Sequence, residues 1–147
     1  MKPGAWIAEI QRKPWRLGAR GPDAFDCYGL LYWVKRTYFG QEVPRHLVEF
    51  PERWGSRDVG RIIRENLGRW QTIDAPVEGC GVGLSKFSSG IIHHCGLWTD
   101  ADGGLVVHSA RAKAGVLCQT VDELRREGYK KIEFFDYFPE DSDPCQP

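Results

Sequence analysis

From residue 27 onward the apolar side chains recur at helical spacing: Cys27, Leu30, Leu31, Val34 and Tyr38 stand at i, i+3, i+4, i+7 and i+11, with Lys35 and Arg36 off that stripe. The spacing predicts an amphipathic helix ending at Gly40, a residue suited to a left-handed C-cap. Ahead of it, "GAWIAEIQRK" reads as a short helix stopped by Pro14, and "PWRLGARGPDAFD" as a turn-rich loop that delivers the chain to Cys27. Residues 58–70 repeat the pattern, with Val59, Ile62, Ile63, Leu67 and Trp70 on one side and arginines on the other, and predict a third helix.

The second half changes period. "GIIHHCGLW", "GLVVHSAR", "GVLCQTV" and "YKKIEFFDYF" are short β-branched or aromatic runs separated by Gly and Asp turns, and predict an antiparallel sheet. Between the last two, "TVDELRREG" carries a capping box, Thr120 with Glu123, and a stop at Gly128, so a brief helix interrupts the strands. Helices first and strands afterwards give an α+β class, with N-terminal helices packed on an antiparallel β-sheet. One domain is expected over residues 1–138 and a flexible, Pro-rich tail over 139–147.

Composition narrows the function classes. Lys+Arg 20 balances Asp+Glu 20 with the two signs interspersed, so the basic footprint of a nucleic-acid partner is missing. No stretch approaches the roughly 18 apolar residues of a membrane span, and "MKPGAWIAEIQRK" lacks the apolar run of a signal peptide, so synthesis in the cytoplasm is expected. The five cysteines (Cys27, Cys80, Cys95, Cys118, Cys145) form an odd set with no CxxC, which favours free thiols over a disulfide framework.

One of the five is placed for chemistry. Asp26 is a good N-cap residue, which puts Cys27 in the first helical turn, where unpaired N–H groups and the helix dipole favour a thiolate. A nucleophilic cysteine needs a histidine base oriented by a third group. Four histidines are available: His46, His93, His94 and His108. His94 and His108 lie on successive strands joined by "TDADGG"; with a loop over residues 99–103, Trp98 pairs with Gly104, Gly96 with Val106 and His94 with His108. Strand alternation then turns His93 to the opposite face. His94 is the expected base and His108 its orienter. Three other readings of the same side chains stay open: Cys27 as a packed core residue, the histidines as a half-buried strand pair satisfied by backbone groups, and zinc held by Cys27, His94 and His108, which metal content would distinguish.

Taken together, "PWRLGARGPDAFDCYGL", "HHCGLW" and "VVHSA" resemble the NlpC family of papain-like cell-wall cysteine peptidases, and especially its phage-tail and prophage members. The likeness runs from about Pro14 to Tyr137 and lies in the order of the pieces: a glycine-rich lead-in, an Asp-Cys helix start, a His-x-Gly strand and a polar residue on the next strand. It implies a papain-like NlpC-type fold with Cys27 as nucleophile, His94 as general base and acid, and His108 as orienter. Trp15 stands where relatives commonly have a tyrosine near the substrate; Asp26 and Tyr28 stand where an aspartate and a small serine receive the free amine of the stem peptide. Cys80 in "EGCGVGLSKF" has no counterpart.

The implied reaction is hydrolysis of peptidoglycan stem peptides between D-glutamate and a diamino acid through a thioester, with no cofactor. Phage tail-tip proteins are the implied partners, and the implied place of action is the bacterial wall, reached with a virion, or cytoplasmic recycling of wall peptides. Against this stand a catalytically silent structural or wall-binding module of a tail tip, and an acyltransferase using the same thioester.

Overall fold

A computed structural model of the chain describes residues 1–43, 70–90 and 92–138. Three α-helices occur among them: α1 (Ile7–Ile10), α2 (Cys27–Phe39) and α3 (Val121–Arg126). Six strands, β1 (Trp70–Thr72), β2 (Gly81–Ser85), β3 (His94–Thr99), β4 (Leu105–Ala110), β5 (Gly115–Gln119) and β6 (Lys131–Tyr137), form one sheet in the order β1-β6-β2-β3-β4-β5. Every pairing is antiparallel. The architecture is therefore α+β, with α2 against one face of the sheet and α3 on the other.

Alternation along the strands divides the core accordingly. On the α2 side, Leu30, Leu31 and Val34 pack with Cys95, Leu97, Val107, Val116 and Phe135. On the other side Val82, Leu84 and Val106 meet Leu124 of α3 and Tyr129. Leu30 and Leu31 are almost wholly buried, each contributing about 1.5–3 kcal/mol. Gly40 closes α2 in the left-handed conformation, as its position in the pattern predicts. The capping box on α3 is also formed, with Thr120 accepting from the Glu123 N–H and the Glu123 carboxylate accepting from the Thr120 N–H.

Several local expectations are overridden by tertiary contacts. The first helix is four residues long rather than ten, because the Glu78 carboxylate draws in the start of the chain, accepting from the Gly4 N–H at 2.8 Å and the Trp6 indole at 2.9 Å. Lys35, placed off the apolar stripe, is 2% exposed: its ammonium reaches Asp136 on β6 at 2.6 Å, a buried charge tolerated because it is paired. Trp70 opens strand β1, not the end of a helix, since its backbone pairs with Tyr137. The rest of the helix expected over 58–70, and the tail at 139–147, lie outside the described residues.

The β3–β4 hairpin keeps the expected five-residue loop but moves it one place, to residues 100–104, with a 3-10 turn at Ala101–Gly103. Thr99 pairs with Leu105, Trp98 with Val106 and Leu97 with Val107. Each partner is thus displaced by two residues from the expected register. Because strand side chains alternate with period two, His94 and His108 stay on the same face but become diagonal neighbours, with Gly96 opposite His108.

Candidate active site

The lead-in loop positions the thiol. Its backbone is stitched to the edge of the sheet by Trp15 N–H to Ala114 O and Val116 N–H to Lys13 O, and it folds back on itself through Phe25 N–H to Pro14 O and Asp26 N–H to Ala19 O. The Ser109 hydroxyl, beside His108 on β4, donates to Phe25 O at 2.7 Å and ties the helix start to the hairpin. Asp26 then caps α2 as its residue type predicts: its carboxylate accepts from the N–H of Gly29 at 2.6 Å, from the N–H of Gly18 at 2.8 Å and from Arg20 Nη1 at 2.6 Å. Gly29 is required by the same turn, since a Cβ there would stand 1.9 Å from the carbonyl oxygen of Ala19. Burial pushes the Asp26 carboxyl up to about 6, with the Cys27 thiolate adding to the shift and Arg20 opposing it.

Cys27 is the first residue of α2 and lies against the start of β3. Its thiol is hydrogen-bonded by Cys95 and by His94, and these two partners, Cys95 foremost, hold it well below the ordinary thiol range against the opposing effect of burial. Cys95 is driven the other way, upward, by the Cys27 thiolate and by its own burial. Burial likewise raises Cys80, to about 11, and the half-buried Cys118. Among the described cysteines, then, only Cys27 is arranged to ionise.

Behind the thiol, His94 Nε2 lies 2.9 Å from His108 Nδ1, and His108 Nε2 lies 2.8 Å from Gln119 Oε1 on β5. His108 is 1% exposed, and burial together with His94 pushes its imidazole down to about 4, so it is neutral at physiological pH. Gly96 makes room for this pairing: a Cβ there would lie 2.6 Å from Val107 O and 2.9 Å from His108 Cβ. Tyr129 stacks on His94 with ring centroids 6.2 Å apart, and the Lys86 ammonium lies 4.7 Å from the centroid of the Tyr129 ring.

Cys27, His94 and His108 are therefore brought together, the two imidazoles hydrogen-bonded to each other and the thiol beside His94. Asp26 and Tyr28 flank the thiol in sequence but are buried, at 2% and 3% exposure, with Arg20 beside both. Trp15 is half-buried on the lead-in loop, its ring 5.5 Å from the Arg111 guanidinium. His93 precedes β3 instead of belonging to it, so strand alternation does not reach it: its ring stacks on Tyr129, as His94 does, and its Nε2 accepts from the Lys86 N–H at 2.8 Å. His46 and Cys145 lie outside the described residues. Among the described residues no three His, Cys, Asp or Glu side chains are arranged to hold a metal ion. Sequence reasoning did not assign Cys95 or Gln119 to this site; Gln119 ends the short run "GVLCQ", where nothing local marks it.

No family model matches the sequence, and no curated protein matches it. Solved structures do share its fold. NlpC1 and NlpC2 from Trichomonas vaginalis superpose with TM-scores of 0.54 and 0.53, each at 16% identity, over 90% and 89% of this chain. The match takes in 41% and 43% of those two proteins, so this chain spans about two fifths of their length. The NlpC/p60 domain of the peptidoglycan hydrolase SagA superposes with a TM-score of 0.54 at 16% identity, over 87% of this chain and 90% of that one. The chain has the α+β fold of NlpC/p60 domains.

Proposed function

We propose that the protein is a cysteine peptidase that hydrolyses peptidoglycan stem peptides at the D-glutamyl to diamino acid bond. The observation that carries this reading is the Cys27–His94–His108 line, which pairs a thiol of lowered pKa with an imidazole oriented by a second, neutral imidazole. The fold it shares with the NlpC/p60 domain of a peptidoglycan hydrolase supports the substrate class. The sequence resemblance to phage-tail members extends the proposal to an enzyme delivered to the bacterial wall with tail-tip proteins.

In this mechanism the Cys27 thiolate attacks the scissile carbonyl carbon and the carbonyl π pair moves to oxygen. The Cys27 N–H, in the first turn where no carbonyl four residues back can accept it, is available to the oxyanion. His94 delivers the proton from its Nδ1 to the leaving nitrogen, the C–N bond breaks and a thioester remains. Water, deprotonated by the same nitrogen, attacks the thioester; the C–S bond breaks and the thiolate returns. Asp26, with its acceptors already engaged by Arg20, Gly18 and Gly29, holds the helix start in this scheme together with the buried Tyr28, and the half-buried Trp15 shapes the approach.

The test is mass spectrometry of defined muropeptides incubated with the reduced protein, with Cys27→Ala, and with a metal chelator present throughout. The expected result is loss of a defined fragment by the wild type alone. Equal products from both proteins would overturn the proposal, and aminolysis products in the presence of added amines would reassign the enzyme as an acyltransferase.

A further inference from the structure

We propose that Glu127, acting through Gln119, is a positioning residue that sets the direction of the hydrogen-bond chain ending at Cys27. The inference rests on the cysteine-nucleophile reading above. The chain runs from His94 Nε2 to His108 Nδ1 at 2.9 Å, from His108 Nε2 to Gln119 Oε1 at 2.8 Å, and from Gln119 Nε2 to Glu127 Oε1 at 3.0 Å. Lys113 Nζ, 2.9 Å from the same Glu127 oxygen, anchors its outer end. Gln119 is 6% exposed, whereas Glu127 caps the C-terminal end of α3 at the surface. Helix α3, which starts two residues after Gln119, thus brings a surface charge back onto the amide behind the site.

A neutral imidazole and a carboxamide each carry a donor at one end and an acceptor at the other. The chain therefore has two self-consistent directions. In one, the Gln119 amide donates to Glu127 and its oxygen accepts from His108 Nε2–H; His108 Nδ1 then accepts from His94 Nε2–H, leaving a lone pair on His94 Nδ1 to take the Cys27 proton. In the other, every donor and acceptor is exchanged, and His94 presents an N–H to the sulfur. It could not then become an imidazolium, because its Nε2–H would face the Nδ1–H of His108.

An ionised carboxylate can only accept, so Glu127 admits the first direction and opposes the second. Lys113 keeps it ionised, the leading cause of a Glu127 carboxyl lowered from its ordinary range. His108, whose neutral form both directions require, is kept neutral by burial. The second imidazole thus transmits an orientation imposed from the protein surface.

The test reads Cys27 directly, through the rate of iodoacetamide alkylation of the Cys27-containing peptide across pH, and needs no substrate. In Lys113→Glu/Glu127→Lys the ion pair is exchanged but retained, and a donor-only ammonium now faces Gln119, forcing its amide over. Alkylation at neutral pH is expected to fall about tenfold or more, with the unfolding midpoint little changed; a wrong tautomer behind the histidine of the serine-protease triad costs about 10⁴ in turnover. Adding Gln119→Glu places an acceptor-only group between the ammonium and His108 Nε2–H, and is expected to restore the rate to within about twofold.

Wild-type alkylation in the exchanged pair, or failure of Gln119→Glu to restore it, overturns the proposal. A wild-type Cys27 that titrates like an ordinary thiol overturns the nucleophile reading itself. A reactive Cys27 with the expected variant series but no muropeptide cleavage sustains the positioning role and sinks only the choice of substrate.

Discussion

Cys95, the residue immediately after His94, hydrogen-bonds Cys27 and is the leading cause of its lowered pKa. The two thiols are shifted in opposite directions: Cys27 is lowered, while Cys95, pushed upward by its neighbour and by burial, is the one placed to keep its hydrogen and donate it. A thiol donor is weaker than a hydroxyl or amide, yet in a water-excluded site it stabilises an anion that bulk solvent does not reach.

Removing that donor should therefore disfavour the thiolate. Cys95→Ala is expected to move the pH midpoint of Cys27 alkylation upward and slow the reaction at neutral pH, while Cys95→Ser, which keeps an O–H donor, moves it less. Alkylation rate against pH for the three proteins decides the matter, and an unchanged midpoint in Cys95→Ala would remove Cys95 from the site.

His108 predicts a pH dependence of stability. Its imidazole binds a proton near pH 4 in the fold and near 6.5 when unfolded. Between those values the unfolded chain holds more protons, so this group's contribution is fully present above about 6.5 and is lost as pH falls toward 4. The stability difference between wild type and His108→Asn, measured by urea unfolding, should slope across that window and be flat above it.

Gly96→Ala tests the space behind the histidine pair. The added methyl would meet Val107 O at 2.6 Å and His108 Cβ at 2.9 Å, so β4 must move away from β3. A loss of about 1–3 kcal/mol is expected from the forced shift, together with a fall in kcat exceeding that of a surface control. Equilibrium unfolding and peptidase assays on the same preparation would separate the two effects.

Arg20→Met leaves the Asp26 carboxylate buried without its cation. Breaking a buried pair from one side costs about 3–5 kcal/mol, whereas removing both charges in Arg20→Met/Asp26→Asn should cost less than the single change. Thermal unfolding of the three variants measures the difference. A double variant less stable than the single would show that the carboxylate's bonds to Gly18 and Gly29 matter more than its charge.

Much of the framework was legible along the chain because its causes are local. Asp26 at the helix start, the spacing from Cys27 to Tyr38, the capping box at Thr120 and the four β-rich runs each specify a backbone conformation from neighbouring residues alone. Even the mistaken hairpin register left His94 and His108 on one face, since displacing a loop by one residue moves the pairing by two and preserves parity. Short β1 and glycine-rich β2 carried little periodic signal, and Trp70 fits a helical stripe as well as a strand.

What the sequence by itself determined is which residue begins α2, which strands carry the histidines and that both imidazoles share a side, because period and chirality act between chain neighbours. Only the tertiary structure decided what meets them. Cys95 reaches Cys27 because α2 lies over β3; Lys35 finds Asp136 across 101 residues because β6 enters the sheet beside β2; and Gln119 meets Glu127 because α3 folds back over the end of β5. Those contacts depend on the order in which strands assemble, and no local pattern of residues encodes that order.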